Sequence, residues 1–126
     1  MDDETRDPLT EAVIGAAIEV HRELGPGLLE EIYQRALEVE LELRAIPFTA
    51  QEPLPVSYKG VYLGKGLNMD FVVRDELIIE LKSVDALHPV HTAQLLTYMK
   101  IRKLRKGLLL NFNVKLLKDG IRRVVL

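Results

Sequence analysis

The stretch DFVVRDELIIELKS, residues 70–83, constrains the fold more than any other part of the chain. Two runs of Val, Ile and Leu flank the three polar residues Arg74, Asp75 and Glu76, which predicts an antiparallel hairpin with a three-residue turn. Strand side chains alternate, so Ile78, Glu80 and Lys82 share one face while Leu77, Ile79 and Leu81 share the other. Asp70 and Val72 share a face on the preceding strand. Pairing Val73 with Leu77 sets Asp70 opposite Glu80, and directly opposed Cβ atoms lie about 4.5–5.5 Å apart. Two bare carboxylates at that distance repel each other. A divalent cation between them removes the repulsion, and an oxygen-only ligand set suits Mg²⁺ or Mn²⁺. Lys82 would then stand beside the ion, close to an attacking water or a phosphate oxygen. The bland alternative is an exposed hairpin face with a Glu–Lys pair, a spacing that chance produces often.

Around this hairpin the pattern reads as ααβββαββ, an α/β or α+β chain. Asp7 before Pro8 is a helix start. Leu9, Ala12, Val13, Ala16, Ala17, Val20 and Leu24 then form one stripe, ended by Gly25-Pro26. A second helix runs from Gly27 to about Arg44, with Leu29, Ile32, Tyr33, Ala36 and Leu37 as its inner face. The segment AIPFTAQEPLPVSYKG carries three prolines and reads as edge strand and turn. Strands are expected near 55–63, 67–73, 76–83 and 107–113, a helix near 89–104, and a last short strand in IRRVVL.

Composition narrows the classes. A chain of 126 residues suits one domain, here 1–126, and 48% hydrophobic residues with a mean hydropathy of +0.05 fit a packed fold. No apolar run approaches the ~20 residues of a membrane span. The acidic start MDDETRDP has no secretory pattern, and the absence of cysteine removes disulfides and thiolate metal sites. A cytoplasmic location is the expectation. Residues 1–52 hold 13 acids against 4 Lys and Arg, while residues 53–126 hold 6 against 13. The run KIRKLRK (100–106) concentrates five of those cations. Such a run is ordinarily a solvated helix face; a phosphate-tracking surface needs further support.

Two features add that support. Glu30 falls between the directions of Leu37 and Leu41 at 100° per residue, inward on its helix, although Glu40 does the same. His91, Gln94 and Tyr98 form one stripe on the helix that carries the basic run.

The combination of GLLEEIY (Gly27, Glu30, Tyr33), NMDFVV, IIELKSV, PVHTAQLLTYMK, GLLLNFNV and LKDGIRRVVL resembles the GxxExxY proteins, a group within the PD-(D/E)xK nuclease superfamily. The resemblance covers nearly the whole chain. It implies a restriction-endonuclease-like core, a mixed central sheet flanked by helices. It implies metal binding by Asp70, Glu80 and Glu30, with Lys82 completing the catalytic set. Gln94 and Tyr98 match the Q-x-x-x-Y element of the branch similar to RecB-type nucleases.

The leading expectation is therefore Mg²⁺- or Mn²⁺-dependent phosphodiester hydrolysis. Gln94, Tyr98, Lys100, Arg102, Lys103, Arg105 and Lys106 would hold nucleic acid, DNA ahead of RNA. His21, His91 and Tyr33 are candidate supporting groups. A domain this small covers few base pairs, which leaves room for a homodimer. Two alternatives stay open: a catalytically silent nucleic-acid-binding module, and a protein-interaction domain using the acidic first helices.

Overall fold

The computed structural model describes residues 6–126, except for the side chain of Lys65. Residues 1–5 of the acidic N-terminal segment lie outside the described residues. The elements are helices α1 (Pro8–Leu24) and α2 (Glu30–Leu43), strands β1 (Phe48–Tyr58), β2 (Val61–Val73) and β3 (Leu77–Lys82), helix α3 (Pro89–Arg102), and strands β4 (Lys106–Asn111) and β5 (Ile121–Val125). A short 3-10 turn, Leu117–Gly120, precedes β5. The order is the one the pattern predicts. α1 starts as expected, with the Asp7 carboxylate accepting from the Thr10 N–H at 2.8 Å.

The five strands form one mixed sheet in the order β1-β2-β3-β4-β5, parallel only between β3 and β4. That single parallel step needs a crossover, which α3 supplies. Two apolar layers cover the sheet. On one side α1 and α2 pack Val13, Ala17, Tyr33, Leu37 and Leu41 against Phe71, Ile79, Leu81, Leu108 and Leu110. On the other, Leu95, Tyr98 and Met99 of α3 cover Val72, Ile78, Leu109 and Val124. Gly107 lets α3 sit close, because a Cβ there would come within 2.7 Å of the Met99 sulfur.

Two expectations change in detail. The run 55–63 is not one strand: Lys59 and Gly60 turn the chain within it, and both have positive φ. β1 and β2 are thereby a long hairpin at the sheet edge, where Pro53 and Pro55 are tolerated. The buried face of α2 is Tyr33, Gln34, Leu37 and Leu41, whereas Leu29 and Ile32 are exposed. Leu29 precedes the helix, which begins at Glu30, and Ile32 lies about 100° round from Tyr33, away from Gln34 and Leu41.

Among the described residues, no helix is long and apolar enough to cross a membrane.

Candidate active site

The predicted turn register is present, with Val73 opposite Leu77, Val72 opposite Ile78 and Phe71 opposite Ile79. The ladder then stops. At Asp70 and Glu80 the strands part, and side chains take over the backbone partners. The Asp70 N–H donates to Glu80 Oε2 at 2.8 Å, and the Leu81 N–H donates to Asp70 Oδ2 at 2.8 Å. The Asp70 carbonyl accepts from Gln34 Nε2 of α2 at 3.1 Å. Every backbone polar group released by the parting therefore has a partner at Asp70.

The cause lies one strand away. The β1–β2 ladder passes from Ala50–Phe71 to Glu52–Met69, skipping Gln51 and Asp70. Gln51 sits in the left-handed region at φ 51°, which is costly for a non-glycine residue. Its Nε2 donates to Asp70 Oδ1 at 3.1 Å. The hairpin also changes sides here: Ala50 and Phe71 pack under α1 and α2, while Leu54 and Met69 pack under α3. Asp70 and Glu80 are thus in mutual contact at a gap between strands, rather than side by side on a regular face as the simple alternation predicts.

Burial and like charge dominate the electrostatics. Glu80 is buried, and its pKa is pushed up to about 8, first by burial and then by the charge of Asp70, partly offset by the Asp70 N–H and Lys82. Burial also raises Asp70, against the opposing effects of the Leu81 N–H, Gln51 and Lys82. Glu30, the first residue of α2, is exposed at the mouth of a pocket of about 420 Å³ that Asp70, Gln34 and Gln51 also line. The pocket walls still crowd Glu30 enough to raise its pKa; Lys82 opposes that rise and Asp70 adds to it. The ammonium of half-buried Lys82 thus acts on all three acids, and it also disfavours the charged form of His91. Tyr98 is nearly buried, and its hydroxyl pKa is raised by burial and by Glu80 and Asp70.

Asp70, Glu80, Lys82, Tyr98 and His91 therefore gather in one region, with Glu30 at its rim. Among the described residues, no three His, Asp or Glu side chains converge as a preformed metal cage. An all-oxygen pair still fits a hard cation of the Mg²⁺ class, which keeps several waters and needs only one or two carboxylates.

The basic run is not gathered here. Lys106 pairs with Leu77 across β3 and β4, whereas Asn111 pairs with Lys82, so Lys106 starts about 16 Å up-strand of the site. It is ion-paired with Asp7. Arg102 is held by Glu52 at 2.9 Å and by Asp75, in the hairpin turn, at 2.6 Å. Lys103 forms the left-handed end of α3, and Lys100 and Gln94 are exposed on the helix surface.

Two of the candidate supporting groups have structural partners instead. His21 Nε2 lies 3.1 Å from the Phe112 carbonyl and 2.8 Å from that of Val114, which fixes the end of β4. The Tyr33 hydroxyl donates to the Gly25 carbonyl at 2.6 Å and accepts from the Leu28 N–H at 3.1 Å, while its ring stacks on Phe112. Leu28 in turn accepts from the Ser83 hydroxyl at 2.6 Å, so Tyr33 and Ser83 tie the start of α2 to the end of β3. Tyr33→Phe should cost about 1–2 kcal/mol in urea unfolding and speed hydrogen exchange at the Leu28 amide. An unchanged Leu28 protection would show that the hydroxyl does not secure this loop.

A family model described as the PD-(D/E)XK nuclease superfamily matches residues 7–124. The chain belongs to the PD-(D/E)XK nuclease superfamily. The match runs from the start of α1 into β5, one residue short of that strand's end. No curated protein and no solved structure matches the chain. In this PD-(D/E)XK protein, Asp70, Glu80 and Lys82 stand in a D-x9-E-x-K spacing.

Reading the sequence missed Gln34, Gln51 and Ser83. Gln34 was within reach, one helical turn after Glu30. Nothing in the sequence marks Gln51 as left-handed, since the usual marker is glycine.

Proposed function

We propose that this protein is a Mg²⁺- or Mn²⁺-dependent nuclease of the GxxExxY group, cleaving phosphodiesters in DNA ahead of RNA. The observation that carries the reading is the buried Asp70–Glu80 contact with Lys82 beside it. Burying two adjacent acids is unfavourable unless something compensates, and strongly perturbed carboxyls in a cleft are a mark of function.

Asp70 and Glu80 would hold the ion, with Glu30 reaching it through water. The Leu81 carbonyl is a further oxygen beside the same gap, since the Leu81 N–H already turns to Asp70 there. A bound ion of this class lowers the pKa of water and polarises a phosphoryl oxygen. Lys82 orients or deprotonates the attacking water and stabilises charge developing on the phosphate. Tyr98 closes the apolar side of the gap, so its hydroxyl stays protonated and able to donate. Asp70 is kept in place by the Leu81 N–H, Gln51 and Gln34.

The test is a panel of labelled duplex, single-stranded and branched DNA and of RNA, incubated with Mg²⁺, Mn²⁺ or EDTA. Cleavage is expected with either ion, none with EDTA, and none above background for Glu80→Gln. If no substrate is cut and calorimetry finds no ion binding that Glu80→Gln removes, a silent binding module replaces this reading.

A further inference from the structure

With Arg102 and Lys106 paired to acids elsewhere, a cation on another strand lies in register with Glu80. Glu80 pairs with Leu109 across β3 and β4, and Leu109 pairs with Arg122 across β4 and β5. Arg122 therefore lies in the same cross-sheet row as Glu80, two strand spacings or about 10 Å away. It is on the face covered by α3, because Leu109 and Val124 both pack into that layer. Its Nη1 donates to Thr92 Oγ1 of α3 at 3.2 Å, which aims the guanidinium across the start of that helix. Asp85 and Asp119 line the same cavity of about 320 Å³, yet neither forms an ion pair with it among the described residues.

His91 stands one residue before Thr92. Its Nδ1 accepts from the His88 N–H at 3.1 Å, so the neutral ring carries its proton on Nε2 and presents a donor. Burial first, then the charges of Lys82, His88 and Arg122, disfavour its protonation. Three donor side chains, from β3, α3 and β5, thus face one region with no carboxylate bound to Arg122. An exposed arginine aimed in this way suits a phosphate, which it can grip with two N–H groups.

We propose that Arg122, assisted by His91, binds a backbone phosphate of the nucleic-acid strand one or two nucleotides from the linkage at Lys82. The proposal rests on the nuclease reading and deepens it: the strand passes over the start of α3 from Lys82 towards Arg122, away from residues 100–106. Thr92 is a positioning residue in this arrangement.

Binding is read by fluorescence anisotropy of a labelled oligonucleotide in EDTA over a series of salt concentrations, and cleavage is read separately in Mg²⁺. Arg122→Ala should bind about tenfold more weakly, as expected for one charge-assisted contact. Its salt dependence should flatten by about 0.7–0.9 in slope, the share of one phosphate. Arg122→Lys should restore the slope, and Lys118→Ala, which removes an exposed charge elsewhere, should change affinity less than twofold. In cleavage, Arg122→Ala should raise KM and leave kcat near that of wild type. Wild-type affinity and slope in Arg122→Ala, or a loss no larger than that of Lys118→Ala, would overturn the proposal. So would a wild-type protein that binds no oligonucleotide. Wild-type binding that Arg122→Ala weakens as expected, with no cleavage in any metal, would support this contact while removing the nuclease chemistry.

Discussion

Glu80→Gln is expected to be more stable than wild type at pH 8 and equally stable at pH 5, while losing all cleavage. The sign follows from the raised pKa. In the folded chain burial pushes the Glu80 carboxyl up to about 8, from an ordinary value of 4.5. Between those two values the folded state holds the proton more tightly than the unfolded state. Stability therefore falls as pH rises through that window. Asp70 and Glu30 are also raised, so they act in the same direction. The amide keeps an oxygen to accept the Asp70 N–H and removes the charge. The gain at pH 8 should be on the order of 3 kcal/mol, readable by urea unfolding in metal-free buffer. A bound cation has the opposite effect on the wild type, since it favours the ionised carboxyl. Calorimetry near pH 7 in buffers of different ionisation enthalpy should thus register release of about one proton per ion. Equal stability of the two proteins at pH 8 would mean that Glu80 is not held protonated, and the description of the acid pair would fall.

Lys82→Ala should lower kcat by about 10²- to 10³-fold, the usual worth of a positioned proton-transfer or charge-stabilising group. Ion binding should survive, because the ammonium repels a cation. Its removal relieves that repulsion, but it also lets Glu80 hold its proton more tightly, and the two effects oppose each other. Lys82→Arg separates the possible roles. A guanidinium supplies charge but does not deprotonate water, so partial rescue assigns Lys82 to charge stabilisation, and no rescue assigns it to proton transfer. If Lys82→Ala cleaves at the wild-type rate, the lysine has no part in the chemistry.

The hairpin from Phe71 to Ile79 was legible because alternation and a three-residue turn leave one register that buries both apolar faces. The helix between β3 and β4 was legible from its pattern, whereas a mixed sheet followed only from the family resemblance. Elsewhere local signals competed. At Lys59 and Gly60 the turn lies inside a run of β-forming residues, so the run reads as continuous strand. The cluster 100–106 reads as a binding surface because sequence shows where cations are dense, without showing that Arg102 and Lys106 already have acidic partners. His21 and Tyr33 were only candidate supporting groups, a structural part being the ordinary one for such a histidine, and their polar atoms are indeed used on backbone carbonyls. Arg122 was invisible as a site residue, since its link to Glu80 runs through pairing across two strand boundaries. Non-local pairing of this kind leaves no periodicity to detect.

The crossing of the β1–β2 hairpin from one apolar layer to the other has a consequence for when activity can arise during synthesis. Asp70 lies at the crossing point, held between a segment packed on α1 and α2 and a segment packed on α3. A growing chain that has emerged only as far as Lys82 has every acid of the site but lacks α3 and the parallel neighbour β4. With one layer missing, Glu80 stays open to water, and the segment of Leu54 and Met69 has no α3 to pack against. The order of elements thus delays assembly of the acid pair until the second layer is in place. On the nuclease reading proposed above, that delay keeps hydrolytic chemistry out of a half-folded state.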